Sequence, residues 1–174
     1  MNSEIMKCKR CRLHETRTNA VPGEGPMDAR VMFVGEGPGK KEDEKGRPFV
    51  GRAGELLNEM LLHADLSREQ VFITNIVKCR PPGNRDPRED EKKTCSEYLS
   101  RQIEIIKPRA ICTLGNHATS HFLGVGEMGK RHGRTFQVEQ MNVIPLYHPA
   151  AALYNPNLKG VMKEDFLSLR KILY

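Results

Sequence analysis

The chain has 174 residues, 38% of them apolar and 6% aromatic, with a net charge of +6, which fits one domain with one core and suits a polyanionic partner without requiring one. No stretch is long and apolar enough for a signal peptide or approaches the ~18 residues of a membrane span, so a soluble cytoplasmic protein with no membrane partner is expected. Thiols stay reduced in that compartment, so a Cys-x-x-Cys pair points to metal or redox chemistry rather than to a structural disulfide.

Cys8 and Cys11 come first, as CKRC, and a two-residue gap lets both sulfurs reach one centre. The apolar run from Arg30 to Gly35 reads as a buried strand that runs into the loop GEGPG, Gly35 to Gly39. GEGP also occurs at Gly23, but only the second copy follows a strand-like run, and no true repeat is present. From about Arg52 to His63, the residues Ala53, Leu56, Leu57, Met60, Leu61 and Ala64 form one helical stripe. A second strand from Val71 to Ile76 leads into NIVKCRPPGNRDP, Asn75 to Pro87, which carries Cys79. Asp86-Pro87-Arg88-Glu89 then reads as a helix N-cap, a proline at the first helical position and an acidic third residue. The helix so begun places Cys95, Leu99, Ile103 and Ile106 on one side and stops before Pro108.

Further on, Arg109 to Leu114 reads as a third strand, with Cys112 as a core residue. Leu123 to Arg134 reads as a loop or hairpin. Asn142 to Tyr147 forms the fourth strand, followed by YHPAAAL, Tyr147 to Leu153. A last helix from about Gly160 to Tyr174 buries Met162, Phe166, Leu169 and Leu173. The alternation of strand and helix predicts an α/β fold, a three-layer α/β/α sandwich on a central four-stranded parallel sheet. Three Gly-, Pro-, Asn- and His-rich loops leaving strand ends are where such a sheet assembles a binding site. Cys79 and Cys95, 16 positions apart, reach the centre of Cys8 and Cys11 only if their loop and helix fold back on the N-terminus. Spacing alone leaves zinc and an iron–sulfur cluster equally open.

Taken together, CKRC, GEGPGKKEDEKGRPFVGRAGELL, TNIVKCRPPGNRDP, Cys95 and HPAAAL resemble the family 4, iron–sulfur uracil-DNA glycosylases. GEGPG together with Asn75 fits that family better than the neighbouring family 5. The resemblance implies a single domain over residues 1–174 and a 4Fe-4S cluster on Cys8, Cys11, Cys79 and Cys95 that docks the N-terminal segment. It also implies a monomer that excises uracil from single- or double-stranded DNA. Binding to a replication clamp leaves no readable mark in the sequence.

Uracil must be flipped out of the stack before its N-glycosidic bond is hydrolysed. By resemblance, Gly35 and Gly37 line its pocket and Phe49 stacks on the base. The Asn75 amide matches uracil N3–H and O4, whereas cytosine presents the reverse pattern. Glu42 is the candidate for rejecting the thymine methyl. His148, as a neutral imidazole, is the expected donor to uracil O2 as negative charge develops. His14, His63, His117, His121 and His132 are read as ordinary surface or core residues. Better-known relatives carry an Asp where this chain has Gly37, so Asn84, supported by Glu36, is assigned to orient the water. No lysine in these motifs suggests a Schiff base, which predicts a monofunctional enzyme leaving an abasic site. The DNA phosphates are assigned to Arg52, Lys78, Arg80, Arg85, Lys130, Arg131 and Arg134, with Leu153 as the wedge that fills the vacated stack. Tyr154 stands where a basic residue is expected. Three other readings compete: a non-catalytic binding module of the same fold, a phosphate-handling hydrolase using GEGPG as an anion nest, and a zinc-ribbon protein.

Overall fold

The computed structural model describes residues 1–173, and the side chains of residues 172 and 173 fall outside the description. The expected burial of Leu173 and the helix end at Tyr174 therefore lie outside the described residues. Five strands form the sheet: β1 (Val31–Gly35), β2 (Phe72–Asn75), β3 (Ala110–Leu114), β4 (Phe136–Val138) and β5 (Met141–Leu146). Around them lie α1 (Asn2–Met6), α2 (Lys40–Lys45), α3 (Arg52–His63), α4 (Glu89–Ile106), α5 (Asn116–Leu123), α6 (Met128–Arg131), α7 (Pro149–Tyr154) and α8 (Leu158–Leu173).

The sheet order is β2-β1-β3-β5-β4, with the first four parallel and β4 antiparallel at one edge. The fifth strand departs from the four-stranded expectation. Phe136-Gln137-Val138 is too short to stand out as an apolar run. It exists through its hairpin with β5, which sets Phe136 opposite Val143 and Val138 opposite Met141. Part of the segment expected to be a loop or hairpin is the short helix α6.

Alternate residues of each strand feed two cores. Val31, Phe33, Ile73, Cys112, Leu114, Ile144 and Leu146 pack with the stripes of α3 and α8, where Phe33 stacks on Phe166 at a centroid distance of 5.8 Å. Met32, Val34, Phe72 and Ile111 face Tyr98, Leu99 and Ile106 of α4, together with Ile5 and Leu13 of the N-terminal segment.

The start of α4 corrects the sequence reading: the N-cap is Arg88, not Asp86. Glu91 decides this, because its carboxylate accepts the Arg88 N–H at 2.8 Å and closes a capping box two residues later. From β1 the chain moves outward to β2, then returns to lay β3 on the other side of β1. The crevice outside the strand carboxyl ends at that reversal is the natural ligand site of a parallel sheet.

Candidate active site

A cavity of about 360 Å³ opens at that point, lined by the loops after β1, β2 and β5. Gly35 and Asn75 are register partners at the ends of β1 and β2. A Cβ on Gly35 would run into Asn75 Oδ1 and stand 2.8 Å from Phe49 Cζ, so only glycine lets both groups close on the same space. Asn75 is buried, and its Oδ1 has no hydrogen-bond partner. A buried acceptor left open costs stability unless a ligand supplies the donor. Gly37 lines the same wall, and a Cβ there would stand 2.7 Å from Val77 Cγ2.

Phe49 forms another wall from a left-handed backbone, φ 49°, a conformation that costs a bulky residue on the order of 1–3 kcal/mol. Three contacts hold it there. Glu42 Oε1 accepts the N–H groups of Val50 and Gly51 at 2.9 and 3.1 Å. Arg68 donates to the Phe49 carbonyl at 2.9 Å and to that of Pro48. Gly54 leaves room for the Phe49 carbonyl, which any Cβ would strike. Glu42 thus sits on the pocket wall with one oxygen engaged, and Arg68 is a support that no sequence motif marked.

His148 caps α7: its Nδ1 accepts the Ala150 N–H at 3.1 Å. A neutral ring must then carry its proton on Nε2, the nitrogen free to donate. Burial pulls the ring down to about 4, with Glu42 opposing. Its ring centroid lies 5.6 Å from that of Phe49, and Gly115, at φ 91°, lets β3 pass close beside it.

Asn84 lines the cavity from a left-handed turn, φ 56°, and its Oδ1 accepts from Arg80 Nε at 2.7 Å. Glu36 lines the same cavity, and burial, with Asp86 adding to it, pushes its carboxyl up against the opposing pull of His117 and Lys92. His117 Nδ1 comes within 3.1 Å of Glu36 Oε2 but off the line of a hydrogen bond, so that buried oxygen has no hydrogen-bond partner. His117 Nε2 lies 3.5 Å from Asp86 Oδ2. The sequence reading gave His117 no role. Glu36 and Asp86, 50 positions apart, meet at this ring only in the folded chain.

Residues 22–169 match the family model of the uracil DNA glycosylase superfamily. The chain is 52% identical to the type-4 uracil-DNA glycosylase of Sulfurisphaera tokodaii, over 99% of this chain and 83% of that protein. It is 50% identical to that of Saccharolobus solfataricus, over 98% and 83%, and 46% identical to that of Archaeoglobus fulgidus, over 97% and 89%. The chain belongs to the type-4 uracil-DNA glycosylases.

Of the basic residues assigned to DNA in this type-4 chain, Lys78 and Arg85 are held inside the fold, and Arg80 gives its Nε to Asn84. Lys78 is 1% exposed, and its ammonium donates to Thr74 Oγ1 at 2.6 Å, and to Asn75 O and Gln102 Oε1 at 2.7 Å. A phosphate contact there is excluded by burial; the position inside a loop motif hid that its side chain turns under the sheet end. Arg85 grips the buried Glu91 with both guanidinium nitrogens at 2.8 and 2.7 Å, which ties it to the cap of α4. Arg131 pairs with Glu127 and lies over the Phe136 ring, while Arg52, Lys130 and Arg134 are exposed. Leu153 and the 88%-exposed Tyr154 follow His148 on α7.

Cys8, Cys11, Cys79 and Cys95 line one chamber on the α4 side of the sheet. Arg17 donates to Cys79 Sγ at 2.8 Å and to the Cys8 carbonyl at 2.8 Å, and the Lys78 N–H donates to Cys95 Sγ at 3.2 Å. Such donors suit sulfurs that carry negative charge. Among the described residues no three of these sulfurs lie within 4.8 Å of one another. Four cysteines around one chamber are a donor set that fits a thiolate-bound metal centre.

Proposed function

We propose that this chain is a single-domain, monofunctional uracil-DNA glycosylase that flips uracil out of DNA, hydrolyses its N-glycosidic bond and leaves an abasic site. The observation that carries this reading is the unpaired Asn75 Oδ1 in the wall of a cavity closed by Phe49 and His148. Uracil N3–H supplies the missing donor, and the Asn75 amide donates to O4; cytosine would set acceptor against acceptor at N3. The Phe49 ring stacks on the base, a contact worth roughly 1–3 kcal/mol. As the bond breaks and charge moves onto the leaving base, His148 Nε2–H donates to uracil O2.

Glu36 and Asn84 hold the water. With Asn84 Oδ1 taken by Arg80, Glu36 is the acceptor of the pair and the Asn84 amide a donor. Little base strength is needed, because the sugar is already cation-like when water arrives. The side chain of Glu42, on the wall, is the group assigned to exclude the thymine methyl. No lysine lines the cavity among the described residues, in keeping with hydrolysis rather than a Schiff base. Cys8, Cys11, Cys79 and Cys95 would hold a 4Fe-4S cluster, which supplies a rigid cross-link between the N-terminal segment, the Asn75–Asn84 loop and α4. Arg52, Lys130 and Arg134 are the exposed candidates for phosphate contacts, and Leu153 is the wedge. No helix is long and apolar enough to cross a membrane among the described residues. A monomeric, cytoplasmic enzyme acting on DNA is part of the same proposal.

The test is base release from a labelled oligonucleotide holding one uracil, with thymine and cytosine controls, followed by alkali. Strand cleavage at uracil only after alkali, suppressed in His148→Ala and Asn84→Ala, is expected. Tight binding of uracil-DNA with no release, by protein retaining its iron and sulfide, would leave a non-catalytic binding module instead.

A further inference from the structure

Glu36 is a poor water acceptor as the cavity alone leaves it. Burial favours its neutral form, and a protonated carboxyl cannot draw a water toward the sugar. His117, at the start of α5, supplies what the cavity lacks. Its Nδ1 approaches Glu36 Oε2 to 3.1 Å, while Nε2 faces Asp86 Oδ2 at 3.5 Å. The ring lies between two carboxylates, and only a protonated imidazole donates from both nitrogens. Glu36 is 22% exposed, against 53% for His117 and 71% for Asp86. The line therefore runs from solvent to the buried oxygen on the cavity wall, where a charge contact is least screened.

We propose that His117, braced by Asp86, is a positioning residue for base release that keeps the Glu36 carboxylate ionised and turned to hold the water. This rests on the glycosylase reading above and adds a residue that touches neither base nor sugar. The 3.1 Å approach is misaligned for a hydrogen bond without substrate, as catalytic contacts often are before the complex closes. Other charged groups around Glu36 do not take over the task. Lys92 of α4 acts in the same direction as His117, but it is paired with Glu89 at 2.5 Å. Arg85 is held by Glu91, Glu42 gives an oxygen to backbone amides, and His148 is neutral. On its far side His117 borders a cleft shared with Lys93 and His121, neither of which reaches Glu36 as a hydrogen-bond or ion-pair partner.

The experiment is single-turnover uracil release by the cluster-bearing protein from about pH 5 to 9, with DNA affinity and melting temperature measured in parallel. Wild type, His117→Phe and His117→Asn are compared, each alone and combined with Glu36→Gln. Removing the ring raises the pKa of Glu36, so the acid limb of the rate profile moves up by about one pH unit, which is about tenfold in rate on that limb. DNA affinity stays within about twofold, since no DNA contact is removed. His117→Asn keeps a donor near the Nδ1 position and restores part of the neutral-pH rate but not the acid limb. With Glu36→Gln in place, His117→Phe has no further effect, because nothing is left to ionise.

An acid limb that stays put, or a His117→Phe loss as large beside Glu36→Gln as alone, overturns the proposal while wild type still releases uracil. If wild type binds uracil-DNA and releases nothing, the glycosylase reading falls, and the role of His117 falls with it. Should His117→Phe fail to fold, the acid limb of His117→Asn decides in the same way.

Discussion

Protonating His148 should be costly, and the cost sets two measurable quantities. Burial carries the ring from its usual 6.5 to about 4. At ~1.4 kcal/mol for each tenfold change, that amounts to roughly 3 kcal/mol against the charged ring in the folded protein. The unfolded chain binds this proton more tightly, so stability from the neutral ring is complete above about pH 6.5 and is lost as pH falls toward 4. The first measurement is an NMR titration of ring carbons in the purified protein, where five other histidines serve as internal contrast. The His148 signal should titrate near pH 4. The second is His148→Ala, which removes one preorganised donor to a developing anion, a loss of roughly 10²–10³ in single-turnover rate. The variant should also lose the acid-dependent fall in stability that this ring contributes. A His148 midpoint at or above 6.5 would refute the neutral-donor argument, and so would a His148→Ala rate within about fivefold of wild type.

Three further outcomes follow from the same geometry. Lys78→Met keeps the buried stem but removes three hydrogen bonds, to Thr74 Oγ1, Asn75 O and Gln102 Oε1, leaving Gln102 Oε1 only the Thr74 hydroxyl at 3.3 Å. At ~1 kcal/mol or more for each acceptor, the melting temperature should drop by about 6 °C or more, with DNA affinity no weaker at low salt than at high salt relative to wild type. Gly35→Ala pushes a methyl into Asn75 Oδ1 and the Phe49 ring, so uracil release should fall by about tenfold or more, measured as kcat/KM against melting temperature. Cys95→Ala should remove bound iron and acid-labile sulfide and lower folding and activity together; a folded, fully active, iron-free variant would defeat the structural role given to the cysteine chamber.

Much of the scaffold was legible because burial on both faces of a parallel sheet writes continuous apolar runs. The four runs at Val31, Phe72, Ala110 and Met141 are strands to within a residue or two, and α3 has the bounds its stripe predicts. The edge strand at Phe136 left no such mark, since three residues with an outward Gln137 owe their pairing to a hairpin. At the head of α4 two capping patterns competed, and the one with a buried carboxylate gripped by Arg85 won over the one with a proline. Pocket residues that stand inside loop motifs, such as Asn75, Phe49 and His148, could be picked from the sequence. Lys78 could not be placed, because a lysine in a basic loop motif looks the same whether it meets a phosphate or turns inward. His117 and Arg68 were unreadable for a related reason: each acts on a partner far along the chain, Glu36 for one and the Pro48–Phe49 carbonyls for the other.

The placement of Lys78 also explains why the cysteine chamber and the cavity share one loop. Between Asn75 and Asn84 the chain supplies the amide proposed to read the base, a cysteine and the amide proposed to hold the water within ten residues. Lys78 ties these together: its N–H meets Cys95 Sγ, and its ammonium meets the Asn75 carbonyl. A shift of the Cys79–Cys95 region is thereby passed to the backbone of Asn75, whose side chain has no hydrogen bond of its own at Oδ1 to resist it. An open acceptor can select a base only if its position is fixed from behind. In this fold that support comes from the buried lysine and, through it, from the cysteine-bearing helix.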